Sequence, residues 1–111
     1  MTERSFLGEF EQVVLLAVLR LGPDAYGVTI RREIEACTGR AVSLGSIYPT
    51  LNRLEAKGLV RSQIGEPTAT RGGRSKRHFA LESEGLVALR QSRQMMQSLW
   101  SGFERDLGGE G

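Results

Sequence analysis

The amino-acid sequence predicts a mostly α-helical protein with one small β-hairpin before its last helix. Apolar residues recur at helical spacing in four segments, and between the third and fourth of these the pattern changes to two short alternating runs. A chain of 111 residues can build a single modest core. We therefore predict one compact domain over residues 1–81 and a C-terminal helix with its tail over 82–111.

The first two helices are predicted at about 8–21 and 25–38. The first carries apolar groups nearly all round, so it lies either at the centre of the fold or between the core and a second subunit. Its end is marked by Gly22. The second helix is expected to take Asp24 as its N-cap and to end at Gly39.

The third helix begins after Ser43, a suitable N-cap, and stops at Gly58. Ile47, Leu51 and Leu54 form its apolar stripe. The opposite side is small and uncharged at its start and basic toward its end: Gly45, Pro49, Asn52, Arg53 and Ala56, flanked by Ser46 and Lys57. A solvated helix would normally place Glu and Lys on that side, so we expect it to approach a DNA groove.

Two strands follow at 59–65 and 76–81, with Phe79 and Leu81 predicted to face inward and Lys76 and His78 outward. Three helices followed by a hairpin are typical of a winged helix-turn-helix domain. The segment 71–77, at the end of the connecting loop and the start of the second strand, carries four basic residues and no acid, and would repel itself unless phosphates or counterions met it. These residues are Arg71, Arg74, Lys76 and Arg77.

Charge is divided unevenly along the chain. Residues 36–81 hold eight basic and two acidic residues, a net +6, whereas the remainder holds seven basic and eleven acidic residues, a net −4. Such segregation is the usual footprint of a protein that neutralises phosphates. Chance clustering on solvated loops is the alternative.

The last helix is predicted at 83–106 and would be ~36 Å long, too long to bury its apolar stripe within one domain. A symmetric dimer in which this helix packs on the partner removes the difficulty. The residues predicted at that interface are Phe10, Val14, Leu86, Leu89, Met96, Trp100 and Phe103.

Three segments carry a resemblance to a known family: Ala-Tyr-Gly-Val-Thr-Ile at 25–30, the third helix and following turn at 44–60, and Gly-Gly-Arg at 72–74 with the later His-Phe-Ala-Leu. Together they resemble the PadR-like transcriptional regulators over about residues 7–103. The resemblance implies a homodimeric repressor that binds a pseudo-palindromic operator and releases it on binding a small molecule or another signal.

The resemblance also implies site residues. Tyr26 matches the tight start of the second helix, Ser46 and Tyr48 match positions that reach DNA, and Gly73 and Arg74 match the wing tip. The full predicted DNA-binding set is Tyr26, Ser43, Gly45, Ser46, Tyr48, Pro49, Asn52, Arg53, Lys57, Arg71, Gly73, Arg74, Lys76 and Arg77. Asn52 and Arg53 are expected at base edges, and the four basic loop residues at phosphates or the minor groove.

Two departures from the family pattern bear on these expectations. Glu82 occupies the position of the family's capping Thr, so Ser83 is expected to cap the last helix. Some members bind planar aromatic effectors between tryptophans, but here Met96 takes that place and Trp100 lies one turn later. Met96, Trp100 and Arg93 are the candidate effector residues. Trp100 is expected to serve first as a dimer anchor, and Arg93 either pairs across the interface or lines a pocket entrance.

The remaining features predict no catalysis, cofactor or metal site. Cys37, the sole cysteine, is expected to be buried, and without disulfides or any signal or membrane segment the protein is expected in the cytoplasm. His78, the single histidine, lacks further metal ligands. The alternative function is a winged-helix module that binds an acidic partner protein rather than specific DNA.

Overall fold

The computed structural model describes residues 7–65 and 76–103 and confirms the predicted fold class. Four α-helices surround a two-stranded antiparallel hairpin. The elements are α1 (Glu9–Leu21), a 3₁₀ turn (Gly22–Asp24), α2 (Gly27–Thr38), α3 (Leu44–Ala56), β1 (Val60–Ile64), β2 (Arg77–Leu81) and α4 (Ser83–Trp100).

Helix α1 lies at the centre of the core. The buried apolar cluster joins its Val14 and Leu15 to Ile30 of α2, Leu51 of α3 and Phe79 of β2, and each of these side chains is at most 2% exposed. Burying an aliphatic or aromatic side chain of this kind contributes about 1.5–3 kcal/mol. The apolar stripe predicted for α3 is therefore confirmed as the side that holds this helix on the core.

Helix α2 begins later than predicted. Its N-cap is Tyr26, whose amide donates to Thr29 Oγ1 at 2.9 Å, so the expected Asp24 cap is wrong. Asp24 lies in the 3₁₀ turn, and the chain stays extended through Ala25, whose carbonyl accepts from the Phe79 amide at 2.8 Å. Pairing with the hairpin therefore delays the helix.

Helix α3 has the predicted ends. Ser43 Oγ accepts a hydrogen bond from the Ser46 amide at 3.1 Å, which satisfies one of the first unpaired donors of the helix. Gly58 follows the helix with φ of +78°, in the left-handed region that favours glycine.

The hairpin pairs Val60 with Leu81 at one end and Ile64 with Arg77 at the other. Phe79 faces the core as predicted, whereas Leu81 is half-buried. Lys76 is exposed and His78 lies on the opposite face from Phe79, but His78 is half-buried rather than free in solvent.

Helix α4 begins at Ser83, with Glu82 as its N-cap and no side-chain cap bond, so the expected capping by Ser83 is wrong. The helix ends at Trp100, six residues before the predicted end, and its 18 residues span ~27 Å. Gly85 packs against Leu59, the residue before β1, because a Cβ there would lie 2.3 Å from the Leu59 carbonyl oxygen. This contact fixes where α4 leaves the domain.

Cys37 is exposed near the end of α2, so its expected burial is wrong. Its thiol donates to Glu33 Oε2 at 3.6 Å, and Glu33 also binds Arg20 at 2.6 Å. The buried positions of α2 are instead Gly27, Ile30 and Ile34. The apolar pattern alone could not show that Cys37 falls beyond the last of them.

Candidate nucleic-acid interface

The outward side of α3 is smooth and exposed, as predicted. Gly45, Ser46, Pro49 and Asn52 are all exposed. A Cβ added at Gly45 would meet, among the described residues, only the Ser43 hydroxyl, at 3.7 Å, so none of them covers the helix at this position. A surface without charge or long side chains can approach a base-pair edge closely.

Two basic residues at the end of α3 bind a carboxylate of α1. Lys57 Nζ lies 2.9 Å from Glu11 Oε2, and Arg53 Nε lies 3.7 Å from the same oxygen. The other oxygen, Glu11 Oε1, accepts from the Gly8 amide at 2.9 Å. Glu11 is only 8% exposed, yet it is surrounded by donors.

This arrangement favours an ionised Glu11. Burial alone would raise the pKa of the Glu11 carboxyl, but the Gly8 amide and the Lys57 ammonium stabilise the charged form. With the further attraction of Arg53, they hold the pKa of Glu11 below its ordinary value. Glu11 therefore holds Arg53 and Lys57 in place at the end of α3. Their side chains remain 56% and 36% exposed.

A second carboxylate joins α3 to the hairpin. Arg77 Nη2 donates to Glu55 Oε1 at 2.6 Å, and Ser62 Oγ donates to Glu55 Oε2 at 2.8 Å. These donors hold the pKa of Glu55 below its ordinary value, the Ser62 hydroxyl contributing most. Arg77 Nη1 also donates to Asn52 Oδ1 at 3.2 Å. Two residues predicted to bind DNA therefore contact each other.

Residues around the start of the second strand of the hairpin contact Tyr26. Lys76 Nζ lies 3.3 Å from the Tyr26 hydroxyl and 4.5 Å from its ring centroid, a cation–π contact. The ring of His78 meets the same tyrosine edge-on at 5.2 Å. Tyr26 therefore links the start of α2 to the hairpin beside the exposed side of α3.

Tyr48 packs against the start of α2. A Cβ added at Gly27 would lie 2.2 Å from the Tyr48 hydroxyl and 2.6 Å from Cζ, so only glycine leaves room for this ring. Tyr48 is half-buried, which is consistent with its predicted place on the flank of the outward side. The contact between Gly27 and Tyr48 was not predicted. The sequence feature that could have indicated it is a glycine at the start of a helix, where a close approach by another side chain is possible.

The structure changes the electrostatic prediction. Within the described residues, five basic side chains of the positive segment each have a carboxylate within 4.0 Å; they are Arg40, Arg53, Lys57, Arg61 and Arg77. Much of the predicted charge is therefore already balanced at short range. Arg71, Gly73 and Arg74 of the predicted wing tip lie outside the described residues.

Several large apolar side chains outside α3 are exposed. On the C-terminal half of α4 and the turn after it these are Met95, Met96, Leu99, Trp100 and Phe103, and on α1 they are Leu16 and Leu19. Leu99 is 70% exposed and Phe103 is 55% exposed. Monomeric proteins rarely expose a large apolar patch without a partner.

The predicted interface needs two corrections. Val14 is 0% exposed and Leu89 is 8% exposed, so both belong to the core of a single chain and cannot form a subunit contact. Phe10 and Leu86 are half-buried. On a helix as uniformly apolar as α1, the sequence does not show which side faces inward, and the exposed Leu16 and Leu19 were therefore missed.

The candidate effector residues Arg93, Met96 and Trp100 are exposed on α4. A separate groove of about 520 Å³ lies between the end of α1 and the hairpin, lined among others by Leu19, Pro23 and His78, and none of the three effector candidates lines it. No helix in the described part of the chain is long and apolar enough to cross a membrane.

A core of three helices, an exposed and smooth third helix and an adjoining hairpin define a winged helix-turn-helix protein of the DNA-binding type. A model of the transcriptional regulator PadR-like family matches residues 15–91. The chain belongs to this family of transcriptional regulators. It is accordingly not an enzyme, as predicted.

Similar proteins agree with this assignment. The chain is 33% identical over 94 residues to transcriptional regulator Rv3488 of Mycobacterium tuberculosis, covering 82% of this chain and 83% of that protein. The structure of H. salinarum RosR is 28% identical, with a TM-score of 0.66 and coverage of 86% and 79%. A PadR family regulator from Eggerthella lenta is 25% identical, with a TM-score of 0.68 and coverage of 92% and 88%.

Proposed function

We propose that this protein is a homodimeric, signal-responsive repressor of the cytoplasm that binds a pseudo-palindromic operator. In this proposal residues 1–81 bind DNA and residues 82–111 hold the dimer together. Each subunit places α3 in a major groove and its wing on the neighbouring backbone. The observation that carries the proposal is the exposed, uncharged side of α3, with basic side chains held at its edge.

The proposed contacts are of two kinds. Gly45, Ser46 and Pro49 allow close approach, while Asn52 and Arg53 present hydrogen-bonding groups suited to base edges. Tyr26, Ser43, Tyr48, Lys57 and Lys76, together with the wing-tip residues Arg71, Gly73 and Arg74, supply hydroxyl, ammonium, guanidinium and backbone donors suited to phosphates.

The exposed apolar side chains of α4 and α1 support the dimer. A two-fold contact through Leu99 and Trp100 would cover these side chains. Met96 and Arg93 would then lie beside the subunit contact, where a planar effector with a polar group could bind. An effector at that position could change the distance between the two copies of α3.

The test is binding to DNA from upstream of the protein's own gene, measured at several salt concentrations. Six or more phosphate contacts per dimer predict a loss of affinity of roughly a thousandfold between about 50 and about 200 mM salt. Replacing Arg74 and Lys76 by Ala should weaken binding to all sequences, whereas Asn52→Ala should change sequence preference.

Binding without selectivity or salt dependence would contradict the proposal. The alternative, a module that binds an acidic partner protein, has its own test. Selective capture of a protein partner by a variant that binds no DNA would favour that alternative.

A further inference from the structure

Arg77 is held differently from the other basic residues beside α3. Its side chain is 35% exposed, compared with 62% for Arg61 on the neighbouring strand. The guanidinium lies 4.8 Å from the centroid of the Phe79 ring and donates to both Glu55 and Asn52. Three contacts at once leave this group little freedom to turn toward a phosphate.

The contacts of Arg77 follow the geometry of α3. Asn52 and Glu55 are three residues apart, so both lie on the same side of the helix and face the hairpin. Glu55 is fixed from β1 by Ser62 and from β2 by Arg77. The carboxylate therefore anchors the guanidinium, and the guanidinium in turn contacts the amide of Asn52.

The contact determines the orientation of the Asn52 amide. An asparagine amide presents an acceptor oxygen and a donor nitrogen, and an isolated exposed amide can present either one to a base. Arginine is a donor only, so Oδ1 of Asn52 must face Arg77, and this sets the plane of the amide and the position of Nδ2. A fixed amide reads one pattern of base-edge groups.

We propose that Arg77 is a positioning residue that sets the base preference of Asn52, rather than the phosphate or minor-groove ligand that the sequence predicted. This inference rests on the proposed function, because it requires α3 to read DNA. It assigns the sequence preference at one base pair per half-site to a network of Asn52, Glu55, Ser62 and Arg77 that spans α3 and both strands.

The experiment uses the full chain and a set of operator duplexes in which each base pair is replaced in turn. Asn52→Ala identifies the base pair at which preference is lost. Arg77→Lys and Arg77→Met are then compared at that base pair and across a range of salt concentrations. Lys76→Ala is the matched control, because Lys76 is exposed and adjacent in sequence.

The substitution by lysine separates charge from geometry. Lysine keeps the positive charge but cannot donate to two partners as a planar fork, so a positioning role is lost and a phosphate role is retained. We expect Arg77→Lys and Arg77→Met to lose the preference at the Asn52 base pair, by roughly five-fold to a hundred-fold, with the salt dependence unchanged. The double variant with Asn52→Ala should show no further loss.

The proposal would be overturned if the Arg77 variants bound every duplex more weakly by the same factor. In that case their salt dependence would also be shallower by about one phosphate contact, as expected for Lys76→Ala. Retention of the preference in Arg77→Lys would also overturn the proposal. The melting temperature of each variant, measured in parallel, identifies a loss due to unfolding, which would affect all duplexes equally. If the wild-type protein itself showed no selectivity, the proposed function would fail first, and this proposal with it.

Discussion

Lys57 and Glu11 are joined by a contact of 2.9 Å that connects the end of α3 to the first turn of α1. Helix α1 carries the exposed Leu16 and Leu19 further along, on the surface proposed to meet the partner. The same carboxylate therefore holds the end of α3 against the first turn of α1. We expect this charge pair to contribute to stability and, if α3 binds DNA as proposed, to the orientation of α3 on the DNA.

The first prediction concerns pH. The pKa of Glu11 is lower in the folded protein than in the unfolded chain, so ionised Glu11 stabilises the fold. This contribution is present above the ordinary pKa of glutamate, about 4, and is lost as the pH falls through the lowered pKa. Glu11→Gln should lower the free energy of unfolding at neutral pH by about 1 kcal/mol. Urea unfolding at several pH values measures both effects.

The matched control is Glu9→Gln. Glu9 lies on the same turn, but its side chain is 85% exposed and its contact with Arg40 is 4.0 Å long, so we expect a change of less than about 0.5 kcal/mol. The difference between the two variants should disappear at acidic pH, where Glu11 is protonated and its contribution is lost. A difference that persisted there would show that Glu11 acts through packing.

The sequence was sufficient for the elements whose signals are local. Ser43 and Gly58 mark the two ends of α3 by their own hydrogen bonding and backbone conformation, so its limits could be predicted closely. The start of α2 could not, because the extended conformation of Ala25 depends on a hydrogen bond from Phe79, more than fifty residues away. Local capping rules contain no information about such a pairing.

The candidate site was predictable in outline but not in its connections. Residue type and helical spacing identified the outward side of α3, yet they counted Arg53, Lys57 and Arg77 as free cations. Their carboxylate partners, Glu11 and Glu55, lie on α1 and on α3 itself and became evident only from the packing. Which side chains share an ion pair is a property of the tertiary structure.

The second prediction separates stability from binding. Gly45→Ala adds a methyl group within a helix at ordinary contact distance from the Ser43 hydroxyl, so it should leave the protein equally stable or more stable, by up to about 1 kcal/mol. The same methyl group lies on the side proposed to approach DNA and should weaken operator binding. Thermal unfolding and DNA titration of one sample measure both; unchanged affinity would exclude close approach at Gly45.

The third prediction concerns the contact of Gly27 with Tyr48. Gly27→Ala would place Cβ within 3.0 Å of several atoms of the Tyr48 side chain, so the ring must move or the helices must separate. We expect a loss of about 1–3 kcal/mol in the free energy of unfolding.

A second variant shows whether Tyr48 is the cause. Replacing Tyr48 by Leu removes the ring, so adding Gly27→Ala to Tyr48→Leu should cost much less than adding it to the wild-type protein. Chemical denaturation of the four proteins gives this coupling directly. Additive losses would mean that Gly27 is required for another reason.

The fourth prediction tests the partner surface of α4. Leu99 and Trp100 are exposed by 70% and 43%, and a charge at either position would be buried without a partner in a dimer built on this surface. Leu99→Glu should therefore shift the protein to monomers in light scattering at micromolar concentration, with little change in helix content. Gln94→Glu, at an exposed polar position of the same helix, should remain dimeric. A wild-type monomer would contradict the proposed dimer, and equal dissociation of both variants would place the contact elsewhere.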